Sequence, residues 1–125
     1  MIFSMSHEQL PVFEIGHFDA SIEQMLGGSV KYIVICTVKN VHFVLHADAA
    51  ESMHTGITRK AHVDSSSVLG GGFVAWGGSE FTLRGSSLSF GAEPADIRLS
   101  FINAINERFH DDLERYIQSR TTKKG

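Results

Sequence analysis

The most regular rhythm in the chain is a two-residue alternation that appears twice in close succession. The run "VKYIVICTV" (30–38) is rich in β-branched residues, and "VHFVLH" (41–46) follows after only Lys39-Asn40. Two strand-like runs separated by two turn-tolerant residues predict a β-hairpin. With a two-residue tip, position 37 faces 42 and position 33 faces 46. Side chains alternate between the faces of a strand, so Lys31, Ile33, Ile35 and His46 share one face. Lys31 then becomes a diagonal neighbour of His46, within reach of a long side chain.

The rhythm changes after His46. "ADAAESMHTGITRKAH" (47–62) carries a helical stripe at Ala47, Ala50, Met53 and Ile57, with Asp48 and Glu51 in its first turn and Gly56 weakening its middle. "VDSSS" is a connector. "VLGGGFVAW" and "FTLRGSS" predict a second hairpin, whose interior glycine triplet admits a close approach by another backbone or a ligand. "SLSFGAEP" reads as a loop. A helix is expected from Pro94, with Ile97, Phe101, Ile102, Ile105 and Phe109 along one side. Beyond His110, "LERYIQ" fits either a continuing helix or a last strand. Near the start, "PVFEI" suits a short strand and "DASIEQMLGG" is turn-prone. Residues 1–25 are expected to form a loosely ordered extension of a single domain spanning 1–125.

Composition narrows the classes. The chain has 125 residues, 20% of them charged and 42% hydrophobic, with a net charge of −3. Its longest apolar run is strand-sized, far below the ~20 residues of a membrane span. Neither a basic n-region nor an apolar h-region opens the sequence, and the lone Cys36 lies inside a strand. These features predict a cytoplasmic protein. The basic residues are scattered except in the terminal "RTTKKG", which reads as a solvated tail, so no nucleic-acid partner is expected.

The candidate chemistry centres on His46. It stands where a strand is expected to give way to a helix, whose first N–H groups favour an anion. An imidazole with an ordinary pKa near 6.5, close to a lysine, suits a general base acting on water. The glycines at 70–72 and "GGSVK" (27–31) do not stand in the strand–turn–helix order of a nucleotide-binding loop. His46, His54 and His62 recur every eight residues, a spacing that does not gather them on one ion if the segment is helical. No metal site is therefore expected. The serines at 86, 87 and 89 are read either as turn chemistry or as part of a nest of N–H groups for an anion.

Four stretches in order, "VKYIVICTV", "HAD", "LGGG" and "RGSSLSFG", resemble the Janus/Ocnus family over roughly residues 30–109. The resemblance implies an α+β fold with a mixed sheet of about six strands flanked by two helices, "LERYIQ" supplying the sixth. It also implies a monomeric phosphatase, without metal or other cofactor, for phosphohistidine-containing proteins or small phosphoramidates. Carried over by position, His46 becomes the proton acceptor for the attacking water and Lys31 a phosphate ligand. The amides of Ala47, Ser87, Leu88 and Ser89 become a phosphate cradle. The chain departs from the family at Leu45, where a tyrosine is expected, and at Phe73, where an arginine follows the glycines. It also has serines at 65–67 where cysteines are expected, and a shorter hairpin tip. Those departures keep a second reading open, a phospho-ligand binding module on the same fold, and a third, a phosphatase for another phosphoramidate such as phospholysine.

Overall fold

The computed structural model describes residues 11–37 and 42–122. They form an α+β domain in which one mixed sheet is covered by helices. Five strands, β1 (Val12–Asp19), β2 (Ser29–Thr37), β3 (His42–Asp48), β4 (Val68–Trp76) and β5 (Phe81–Arg84), lie in the order β1-β3-β2-β4-β5. Only β1 and β3 run parallel; the other pairs are antiparallel. The helices are α1 (Ile22–Gly27), α2 (His54–Ala61), α3 (Ala95–Arg108) and α4 (His110–Thr122).

The hairpin register follows the two-residue alternation: Thr37 faces His42 and Ile33 faces His46. Its tip at Lys39-Asn40 lies outside the described residues. The register sorts the central strands into two faces. Val30, Tyr32, Val34, Leu45, Ala47 and Val74 join Met25, Ile97, Phe101, Ile105 and Phe109 in the main core. Ile33, Ile35 and Val44 form a smaller cluster with Ile57 of α2. Burying apolar side chains on both faces is what makes β2 and β3 read as near-continuous apolar runs.

Two expectations are corrected and one open reading is decided. The helix after His46 does not begin at Ala47. β3 continues through Asp48, whose Oδ1 accepts the Ala50 N–H at 2.9 Å, an Asx-type turn that redirects the chain. The Ala49 N–H also donates to the Asp19 carbonyl, and α2 starts only at His54. Of the stretch expected to be loosely ordered, residues 1–10 lie outside the described residues, whereas from Val12 the chain is regular: β1 pairs with β3 and α1 carries a Ser21–Gln24 capping box. Finally, "LERYIQ", open between helix and strand in the sequence, is helical. Among the described residues the mixed sheet has five strands and four α-helices accompany it, close to the expected mixed α+β architecture of about six strands. Asp111 and Asp112 favour the α4 N-terminus, and Arg115 pairs with Asp112 one turn on, at 3.0 Å.

Among the described residues no helix is long and apolar enough to cross a membrane.

Candidate functional site

The face of the sheet that carries α2 becomes polar at one end. Reading across the strands, Asp19 pairs with Asp48, Asp48 with Lys31, Lys31 with Phe73, and Phe73 with Arg84. His46 lies one step along β3 from this row, on the same face as Lys31.

His46 is held by an irregularity in β1. Ile15 pairs with Leu45 and Phe18 with Ala47, so Gly16 and His17 together oppose His46. Such a bulge re-aims side chains, and here it turns a main-chain N–H toward the histidine. The His17 N–H donates to His46 Nδ1 at 3.0 Å. The ring fits because position 16 is glycine; a Cβ there would lie 2.6 Å from His46 Cε1. A main-chain N–H can only donate, so Nδ1 is unprotonated and the neutral ring carries its proton on Nε2. Burial, reinforced by the neighbouring His17, holds the His46 pKa below its ordinary value against the opposing pull of Glu14. In this geometry His46 is a neutral hydrogen-bond donor, and it has no free lone pair with which to take a proton from water.

Beside it, Asp48 is fully buried and fully partnered. His17 Nε2 and Lys60 Nζ lie 2.9 Å and 3.2 Å from Oδ2, while Ala50 N–H serves Oδ1. Burial alone would raise the Asp48 pKa, but the hydrogen bonds from His17, Ala50 and Lys60 outweigh it and leave the carboxyl below its ordinary value. Lys60 is shared with Glu51 at 3.2 Å. His17, Asp19 and Asp48 place ligand atoms within 4.8 Å of one another, a set able to take a divalent cation only by competing with the Lys60 ammonium.

Lys31 points the other way, toward β4. Its ammonium lies 5.2 Å from the Phe73 ring centroid, a cation–π arrangement, and has no carboxylate partner among the described residues. It lines a pocket of about 150 Å³ together with Phe73, Ser52, Met53 and His54 at the start of α2, and Ser86, Leu88 and Ser89 of the loop after β5. The N-cap of α2, Met53, makes no side-chain capping hydrogen bond, and no other side chain among the described residues bonds the amides of the first turn. A wider depression of about 360 Å³ between α1 and α4 offers Arg115 already paired with Asp112, and so presents no uncompensated cation.

The structure therefore brings together Lys31, Leu88 and Ser89, with His46 on the same face beyond the pocket lining. Ala47 stands apart: it is inside the β3 ladder, between Phe18 and Tyr32, with its methyl in the main core. Two of the expected cradle amides are committed elsewhere. The Ser87 N–H donates to Gly71 O at 3.0 Å, and the Ser89 N–H to Ser87 Oγ at 3.1 Å. Of the three loop amides only that of Leu88, at the fully exposed tip, makes no hydrogen bond among the described residues. The loop is anchored from below by Glu93, which accepts from the Tyr32 hydroxyl at 2.5 Å and from Arg98 Nε at 3.2 Å.

Sequence reasoning missed His17, Asp48 and Lys60 as a group. Their signal was Gly16 inside "FEIGHFD", since a glycine within a strand run marks a bulge. The three evenly spaced histidines are not on one helix: His46 is in β3, His54 opens α2, and His62 ends it with a φ of 57°. No protein-family model matches the chain, and no curated protein sequence matches it either.

Proposed function

We propose that this protein hydrolyses the N–P bond of phosphohistidine in proteins, in the manner of the Janus/Ocnus family that its motifs resemble, without a metal or other cofactor. The observation that carries the reading is Lys31. Among the described residues its ammonium has no carboxylate partner, and it lines a pocket that also receives the N-terminus of α2, where Met53 makes no side-chain cap, features that suit an oxyanion or phosphate. Phosphoryl transfer depends mainly on positioning and charge neutralisation, which such a pocket provides. Lys31 and the α2 N-terminus hold the phosphoryl oxygens, and the Leu88 amide adds a donor from the loop. His46, on the same sheet face beyond the pocket lining, offers its Nε2–H as a donor to the part of the phosphohistidine substrate that extends past the pocket, a role that its depressed pKa preserves by keeping the ring neutral. The imidazole of the substrate is a good leaving group, so no Lewis acid is needed. The lone Cys36 and the modest net charge suit a monomer working on phosphoproteins in the cytoplasm.

One observation favours the alternative of a phospho-ligand binding module. The His46 lone pair is occupied by the His17 N–H, so the expected water-activating base is not His46 in this geometry. Turnover separates the two. Incubation with a phosphohistidine peptide and a phosphoserine peptide, each with EDTA, should release phosphate from the first only. Binding of the phosphohistidine peptide without phosphate release would establish the binding module.

A further inference from the structure

From the geometry of the Lys31 pocket we infer that His54 is the proton acceptor for the attacking water, an assignment that rests on the phosphatase reading above.

His54 is buried at the opening of α2, against the glycine triplet of β4. Its Nε2 lies 3.0 Å from the Gly72 carbonyl oxygen, which can only accept, so Nε2 carries a proton. Its Cδ2 rests on Gly71, where an added Cβ would come within 3.2 Å. With Cδ2 and Nε2 turned to the sheet, Nδ1 occupies the outward edge of the ring. Every enclosed side-chain nitrogen or oxygen among the described residues has a hydrogen-bond partner, and Nδ1 has none, so Nδ1 meets solvent. The result is an imidazole with one nitrogen tied to a carbonyl and the other a free lone pair, the arrangement a general base requires. Phe73 packs edge-on against the ring at 5.5 Å and Lys31 lines the same pocket.

Its competitor is His17, whose Nε2 is fixed by Asp48. His17 lies on β1, across β3 and β2 from the pocket that holds Lys31, whereas His54 is part of that pocket. Of the charged groups, Lys31 from β2 lines the pocket with His54; Glu51, three residues before His54, is paired with Lys60, and Arg84, opposite Phe73 on β5, donates to Thr82 Oγ1 outside the pocket lining.

The step balances without a co-reactant. A substrate imidazole protonated on its other ring nitrogen carries the phosphoryl group. Water oxygen forms the new P–O bond as the P–N bond breaks, and the P–N electron pair leaves with a neutral imidazole. The water proton passes to His54 Nδ1, and phosphate is released.

The test replaces His54 with glutamine, which keeps an N–H for the Gly72 carbonyl and has no basic nitrogen, beside His17→Gln as a control. In His54→Gln, kcat should fall on the order of 100-fold and the acidic limb of the pH–rate profile should vanish. Affinity for inorganic phosphate, measured by titration, should stay within about twofold. His17→Gln should keep the acidic limb. A His54→Gln enzyme that retains its kcat and acidic limb overturns the assignment, as does transfer of both losses to His17→Gln. Independently of any variant, nitrogen-15 spectra of the wild type should show His54 protonated at Nε2 and bare at Nδ1; the opposite tautomer overturns it. A wild type that cleaves no phosphoramidate overturns the phosphatase reading, and this assignment with it.

Discussion

Replacing Gly16 with alanine strikes the contact on which the state of His46 depends. The new Cβ would lie 2.6 Å from His46 Cε1, 2.8 Å from Val44 Cγ1 and 3.0 Å from His46 Nδ1, where ordinary contact begins near 3.4 Å. Val44 is buried in the cluster under α2 and has little room to retreat, so the ring moves. A retreat of about 0.8 Å, the shortfall in the closest contact, takes the 3.0 Å bond from His17 N–H out of hydrogen-bonding range. An unmet main-chain donor costs about 1–3 kcal/mol, and the overpacking a similar amount. Alanine returns only about 0.4–1 kcal/mol by restricting the unfolded chain. The net loss is about 1–5 kcal/mol, and its middle value of about 3 kcal/mol is readable as a drop of roughly 2 M in the urea midpoint. Nitrogen-15 spectra should show His46 Nδ1 released and its pKa moving up toward the ordinary value. A variant as stable as wild type, with His46 still bare at Nδ1 and protonated at Nε2, would refute the reasoning.

Three further outcomes follow from the same interactions. Asp48→Asn should lower stability by about 1–3 kcal/mol at neutral pH. Because the folded Asp48 pKa is depressed, its contribution is present above the ordinary value of 3.8 and lost as pH falls through the lower folded value, so the gap to wild type should close in acid. The His46 pKa is also depressed, but for a histidine this means that the unfolded chain binds the proton more readily. Its contribution should therefore decline as pH falls below about 6.5, and denaturation at pH 8 and pH 5.5 should show the gap between wild type and His46→Ala narrowing at the lower pH. Tyr32→Phe, which removes a fully buried hydroxyl from Glu93, should cost about 1.5–3 kcal/mol in chemical denaturation; no change would mean that Arg98 alone satisfies that carboxylate.

The parts of the fold legible in the sequence are those set by local periodicity. The register of β2 on β3 follows from alternation and a short gap, and it placed Lys31 and His46 on one face. The second hairpin and the Ile97–Phe101–Ile105 stripe of α3 were equally plain. What was hidden depends on contacts distant in sequence. Ala47 and Asp48 read as the start of a helix because alanine and an acidic residue suit a first turn. In the folded chain Asp48 is held by His17 and Lys60, and β3 runs on to include it. Gly16 and His17 gave no periodic signal because a bulge interrupts alternation. "LERYIQ" was ambiguous because its pattern serves either period, and the Asp111–Asp112 N-terminus decides for a helix.

The central claim is that the Lys31 pocket and His46 together turn over phosphohistidine. It is tested most directly by phosphate release from a phosphohistidine peptide, in EDTA, by wild type and by His46→Ala. The account predicts chelator-resistant turnover by the wild type and a fall of about 10²–10³ in kcat on loss of the Nε2–H donor. A wild type that binds the peptide without releasing phosphate, or a variant as fast as wild type, would contradict it.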